Sequence, residues 1–163
     1  MHINLINKKL YFNNYRLKCA IGKRGISNKK KEGDLCTPKG ILKFKAVFYR
    51  KDRIPKIKTR LKKIAIKKSM GWCDEPKSKS YNKLIKFPFS YNAEKLYKRS
   101  SIYDIVLITS YNLRPTIKNK GSAIFLHVAK KNYTPTKGCI AVSKKDLKLL
   151  LKFIDKKTKL IVN

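Results

Sequence analysis

The stretch Ser122–Ser143, SAIFLHVAKKNYTPTKGCIAVS, decides how the rest of the chain reads. Its first eight residues are mostly apolar and rich in β-formers, the pattern of a central strand. A period of two puts Phe125, His127 and Ala129 on one face of that strand and Ile124, Leu126 and Val128 on the other. Turn-like sequence then leads from the strand to Thr136, and a hairpin-like return of this length would carry Thr136, Lys137, Gly138 and Cys139 back beside the histidine strand. An imidazole on an apolar strand needs a hydrogen-bond partner, and a thiol within its reach would be favoured as the thiolate, the species that attacks a carbonyl carbon. Gly138 would let the backbone approach a substrate closely, and amide N–H groups near Cys139 could stabilise an oxyanion. On these residues alone, a satisfied core histidine beside an ordinary buried cysteine is the competing reading.

Outward from this stretch the chain is mostly β. YRLKCAIG and ILKFKAVFYR alternate polar and apolar residues, as half-buried strands do, while IYDIVLITSYN is continuously apolar like a central strand. LKKIAIK reads as a strand and KLIVN could close the sheet. EGDLCTPKG and KNYTPTKG are turns. One clear helix is expected from about Lys144 to Lys157, with Ser143 as N-cap, Asp146 three residues on, and Leu147, Leu150, Leu151 and Ile154 along one face. A short helix could form near Tyr91 to Lys98. About seven strand-like segments against one strong helix predict a mainly β fold, a mixed sheet or flattened barrel with that helix packed on it and the site in a surface groove.

Composition bounds the function. The chain has 163 residues, 42% of them hydrophobic, which suits one domain with a single core. No run approaches the length a membrane helix needs, and charge interrupts MHINLINKKLYFNNYRLKCA before any signal-like apolar core forms. The formal charge of +33 invites a nucleic-acid partner. Of the 42 basic residues, however, only seven are arginine, the residue that base-edge and bidentate phosphate recognition favour. The lysines are spread along the whole chain without a nucleic-acid motif, densest from Lys51 to Lys68, so nucleic acid is disfavoured. A solvated lysine-rich surface is the plain reading, and an acidic envelope glycan is the partner class it would otherwise suit. Cys19, Cys36, Cys73 and Cys139 form no close pair, which disfavours zinc ribbons and redox dithiols; the first three read as small structural residues, with disulfides open in an exported protein.

The stretch GSAIFLHVAKKNYTPTKGCIAVSKKDL resembles the signature of the L,D-transpeptidase catalytic domain, the YkuD-like family, in which a histidine strand is followed by a Thr/Ser-x-Gly-Cys loop. IGKRGISNKKKEGDLCTPKGILKF is similar to the family's N-terminal segment, and FYRKDR and GWCDEP resemble a compact subgroup, so the likeness runs from roughly residue 15 to 155. It implies a single catalytic domain over residues 1–163. Two features depart from the commoner pattern: Lys137 stands where a histidine precedes the Gly-Cys pair, and the loop after the base is short. Val128 also lacks the hydroxyl that orients the imidazole in some relatives, which points to a backbone carbonyl as the orienting group.

The resemblance makes Cys139 the nucleophile and His127 its general base, with Gly138 and Cys139 forming part of the oxyanion hole and Thr136 bracing the loop. It implies acyl transfer on peptidoglycan stem peptides in the periplasm or cell envelope: thioester formation with a tetrapeptide donor, then aminolysis by a second stem. Neither a metal nor an organic cofactor is required. Arg50, Arg53, Trp72, Asp74, Tyr81, Asn82, Tyr111, Asn112 and Lys137 are the candidates for lining a cationic cleft suited to stem carboxylates. An L,D-carboxypeptidase that uses water as acceptor, and a basic binding protein without chemistry, remain the alternatives.

Overall fold

The computed structural model describes residues 1–28 and 31–163, and alternating apolar residues become strands through most of that length. The strands are β1 (His2–Ile6), β2 (Lys9–Phe12), β3 (Tyr15–Ala20), β4 (Ile26–Ser27), β5 (Thr37–Pro38), β6 (Gly40–Tyr49) and β7 (Lys62–Ala65). They continue with β8 (Met70–Cys73), β9 (Leu84–Lys86), β10 (Ala93–Lys95), β11 (Ile105–Thr109), β12 (Phe125–Val128), β13 (Ile140–Val142) and β14 (Lys159–Val162). A 3-10 turn at Ser101–Tyr103 precedes β11, and helix α1 spans Lys144–Phe153. Among the described residues there are thus fourteen strands where the local pattern suggested about seven. The surplus is made of segments of two to five residues, among them β4, β5, β9 and β10, whose extended shape comes from pairing with other strands.

Eight strands close into a mixed barrel in the order β11-β12-β13-β3-β2-β1-β14-β6, with β6 pairing back to β11. The ten residues of β6 make the closure: Gly40–Lys43 pair with β14 and the following residues pair with β11, while the end of β6 also carries β7 in parallel. A bulge between Ile108 and Thr109 shifts the β11 register. β10-β8-β9 form a separate small sheet. The fold class read from the sequence is therefore the one observed, and no helix among the described residues is long and apolar enough to cross a membrane.

The strand containing the histidine divides two apolar clusters. Ile124, Leu126 and Val128 join the main core with Leu10, Phe44, Leu107 and Ile140, while Phe125 joins a second cluster with Trp72, Leu96, Tyr103 and Val106. The period-two reading of this segment is thus observed. Helix α1 adds Leu147, Leu150, Leu151 and Ile154 to the main core. Ser143 caps it, accepting the Asp146 N–H at 3.0 Å. The helix ends at Phe153 rather than near Lys157, because Ile154 turns extended and the Asp155 carboxylate captures the Lys157 and Thr158 N–H groups, both at 2.9 Å, in a tight turn.

Two local expectations differ from the structure. Within Tyr91–Lys98 the chain forms β10, not a helix, because Ala93, Glu94 and Lys95 pair with Cys73, Trp72 and Gly71. The return after His127 is not a hairpin: β13 runs parallel to β12, with Leu126 opposite Ile140 and His127 opposite Ala141. The connecting loop docks sideways on the end of β3, where Thr136 N–H donates to the Ile21 carbonyl and Lys23 N–H to the Thr136 carbonyl, both at 2.9 Å. That contact carries the chain back to the start of β12 before β13 begins. No disulfide joins any of the four cysteines among the described residues; Cys19 and Cys73 are buried, and Cys36 and Cys139 are half-buried.

Candidate active site

Parallel pairing fixes where the cysteine and the histidine stand. On β13, Ile140 and Val142 enter the main core, so Cys139 and Ala141 face the same side as Phe125 and His127 on β12. Both Cys139 and His127 line one cavity of about 440 Å³, open to the surface. The Cys139 Sγ lies 3.4 Å from the Phe125 N–H nitrogen and 3.5 Å from the Ala123 carbonyl oxygen, so the end of β12 holds the sulfur directly.

The imidazole is fixed on several sides. Its Nδ1 lies 3.0 Å from the Val128 carbonyl oxygen. A carbonyl can only accept, so Nδ1 carries the hydrogen and Nε2 presents its lone pair. Tyr103 stands edge-on to the ring with centroids 5.4 Å apart, and Tyr103 and Trp72 both meet Phe125 edge-on. Burial pulls the His127 pKa down to about 4, outweighing the Val128 and Ile102 carbonyls and Glu94, which all favour the charged form. At neutral pH the ring is an uncharged proton acceptor.

The turn before the cysteine is tied to itself and to the rest of the fold. The Thr136 hydroxyl accepts the Gly138 N–H at 3.1 Å and donates to the Cys139 carbonyl at 2.5 Å. Gly138 has φ of +136°, and a Cβ there would stand 2.8 Å from the Cys36 carbonyl oxygen, so only glycine fits.

Of the residues named from the sequence as lining the cleft, Trp72, Asp74 and Lys137 do line the cavity. The others lie outside its lining. Arg50 is buried, grips Asp52 through two nitrogens at 2.8 and 2.6 Å, donates to the Lys98 carbonyl and stacks on Tyr97 at 3.5 Å. Arg53 donates to Asp104 and to the carbonyls of Arg99 and Ser100. Asn82 accepts the Trp72 indole N–H at 2.9 Å and donates to the Asn112 carbonyl at 2.6 Å. Asn112 in turn ties Ile117 and Gly121, and Tyr111 donates to the Lys120 carbonyl. Tyr81 donates to Glu32 at 2.5 Å and accepts the Gly121 N–H. These groups shape the wall from behind.

The sequence reading did not find Glu32, Glu94, Lys98, Tyr103, Ser122 or Lys130, which also line the cavity. Charge scarcity was the available signal. The chain has nine Asp and Glu residues, and Glu32, Asp74 and Glu94 put three of them on this one cavity. The cleft is therefore not simply cationic: three carboxylates line it together with Lys98, Lys130 and Lys137. Glu94 pairs with Lys98 at 2.7 Å, and Glu32 accepts from Tyr81 and from the backbone and hydroxyl of Ser122. Asp74 Oδ1 is buried with no partner among the described residues, and desolvation pushes the carboxyl pKa up.

The family model of the L,D-transpeptidase catalytic domain, YkuD, matches residues 2–162. Among solved structures, that of Bd1075 from Bdellovibrio bacteriovorus aligns with 99% of this chain at a TM-score of 0.51 and 17% identity, a likeness of fold. The chain covers 46% of Bd1075, about half its length. No curated protein matches the chain.

Proposed function

We propose that this chain, which belongs to the L,D-transpeptidase catalytic-domain family YkuD, is a cysteine acyltransferase acting on peptidoglycan stem peptides in the cell envelope. The observation that supports the reading is the shared cavity, whose lining includes both Cys139 and the His127 imidazole, with Nδ1 tied to the Val128 carbonyl. His127 takes the Cys139 proton, and the sulfur attacks the carbonyl carbon of the third residue of a tetrapeptide stem. The carbon–nitrogen bond to the terminal D-alanine breaks, the proton passes from His127 to the leaving amine, and a thioester remains on Cys139. An amine from a second stem then attacks the thioester, gives a proton to the imidazole, and releases the new amide with the thiol restored.

The mixed charge of the cavity supports a substrate that carries an amine and a carboxylate together. A diamino-acid side chain of the diaminopimelate kind is such a group, meeting carboxylates at Asp74 and Glu94 and ammonium groups at Lys130 and Lys137. The net charge of +33 suits an anionic wall polymer as the surface on which the protein works.

Mass spectrometry of muropeptides after incubation with tetrapeptide-rich sacculi tests the reading. Wild type should produce cross-linked dimers, and Cys139→Ser and His127→Ala should each lose that product while melting cooperatively. The double variant should be scarcely worse than either single one, because groups that act as a unit give non-additive losses. Cross-linking by Cys139→Ser at the wild-type rate would sink the nucleophile assignment. Tripeptides without dimers would identify water as the acceptor and the activity as that of a carboxypeptidase.

A further inference from the structure

Segments far apart in the chain meet behind the Thr136–Cys139 turn, and Thr37 stands where they cross. Its side chain is fully buried. The hydroxyl accepts the Gly22 N–H at 2.8 Å and donates its single proton to the Gly138 carbonyl at 2.8 Å. Thr136 holds the Gly138 N–H and the Cys139 carbonyl, so the peptide between Gly138 and Cys139 receives its tie from Thr37 instead. Gly138 has no side chain with which to steer that peptide, and its φ of +136° is one that other residues rarely adopt.

The peptide group is planar and trans, so the Gly138 carbonyl and the Cys139 N–H point in opposite directions. Thr37 lies outside the cavity lining, whereas Cys139 lies in it. We propose that Thr37 is a positioning residue: by holding the Gly138 carbonyl on the buried side, it turns the Cys139 N–H toward the place where a substrate carbonyl oxygen gains negative charge. This rests on Cys139 being the acyl-accepting nucleophile. Thr37 touches no substrate and acts only through the peptide it holds.

Two reactions of the same sulfur separate this role from a merely structural one. Acylation by p-nitrophenyl acetate passes through a tetrahedral oxyanion, breaks the ester carbon–oxygen bond, and leaves an acetyl thioester with p-nitrophenolate released. Alkylation by iodoacetamide displaces iodide and builds no oxyanion. Both are followed at Cys139 by peptide mapping on the full chain. Thr37→Val, which keeps the shape and removes the hydroxyl, should slow acylation roughly tenfold to a hundredfold, less than the roughly hundredfold to thousandfold of a deleted oxyanion donor because the N–H is misdirected and not removed, with alkylation within about twofold of wild type. Thr37→Ser, which restores the hydroxyl, should keep both reactions within about threefold.

Acylation of Thr37→Val at the wild-type rate, or equal losses in both reactions, would overturn the role of Thr37 while leaving the acyl-transfer reading intact. If wild type is alkylated at Cys139 but never acylated there, the acyl-transfer reading fails and the role of Thr37 fails with it. Should Thr37→Val not fold, Thr37→Ser decides: a folded Ser variant with wild-type acylation supports the hydroxyl as the positioning group, and one slowed tenfold or more in acylation overturns it.

Discussion

Asp104 and Asp74 are both acidic side chains drawn into the protein, and their surroundings are opposite. The Asp104 side chain is 2% exposed, accepts from Arg53 at 2.9 Å and from Lys144 at 2.6 Å, and so ties the segment after β6 to the start of α1. Asp74 lies at the cavity wall with Oδ1 buried and without a partner among the described residues. A chain with four basic residues or more for every acid could have given Asp74 a cation as easily as it gave Asp104 two. The contrast separates a carboxylate whose bonds are complete within the fold from one whose Oδ1 has no partner among the described residues. Buried polar groups are normally satisfied, so an unsatisfied one on the cavity that Cys139 and His127 line is a functional signal.

The largest effect should come from breaking the completed site. Asp104→Ala leaves Arg53 and Lys144 facing each other and should cost about 3 kcal/mol, read as a lowered denaturation midpoint with unchanged m-value. A loss below about 0.5 kcal/mol would show that the pairings are surface ornaments and would erase the contrast.

Next in size is the proton linkage of His127, on the cavity side of the comparison. Its folded pKa of about 4 lies below the reference of 6.5, so the unfolded chain binds the extra proton first. The stability this group permits is whole above pH 6.5 and is lost as the pH falls toward 4, by about 2.5 kcal/mol at pH 4.5. Melting wild type and His127→Gln at pH 7.5 and at pH 4.5 checks it. The wild type should lose more than the variant, and parallel losses would place the imidazole in water.

The smallest effect concerns Asp74 and sharpens the comparison most. Its folded pKa is raised, so ionising it near neutral pH works against folding, and Asp74→Asn should leave the melting temperature unchanged or slightly higher. The same change should raise KM for tetrapeptide stems about tenfold, the worth of one charged hydrogen bond, about 1.4 kcal/mol. A variant that is destabilised and fully active would put Asp74 in the same class as Asp104.

The same contrast explains what could be read from the sequence. Alternation in Phe125–Val128 gave the two faces of β12, and the capping pair Ser143 and Asp146 gave the start of α1, because both signals are local. The family likeness reached the Thr-Lys-Gly-Cys turn for the same reason. The parallel course of β13 was not legible, since it depends on Thr136 docking against Ile21 and Lys23, more than 100 residues earlier. Arg50 and Arg53 are candidates for lining the cleft because FYRKDR resembles the compact subgroup, yet their donors are taken by Asp52, Asp104 and the carbonyls of Lys98, Arg99 and Ser100. Glu94 carries no local motif, and Glu32 lies in a segment the family likeness reached without giving it a role; only folding places both on the cavity that Cys139 lines.

The position of β14 between β1 and β6 also governs the order of events in synthesis. Residues 159–162 supply the strand that both neighbours need, β1 in parallel and β6 antiparallel. Until the ribosome has released that segment, β1 and the first half of β6 each present an unpaired edge, and the nascent chain is a partly built sheet with two sticky rims. The exposed face of β6 at this edge carries Lys43 and Lys45, and the like charge of neighbouring nascent copies works against their joining rim to rim. A surface so rich in lysine thus guards the polypeptide during its roughly ten to thirty seconds on the ribosome and in the folding intermediates that follow, before any substrate is met.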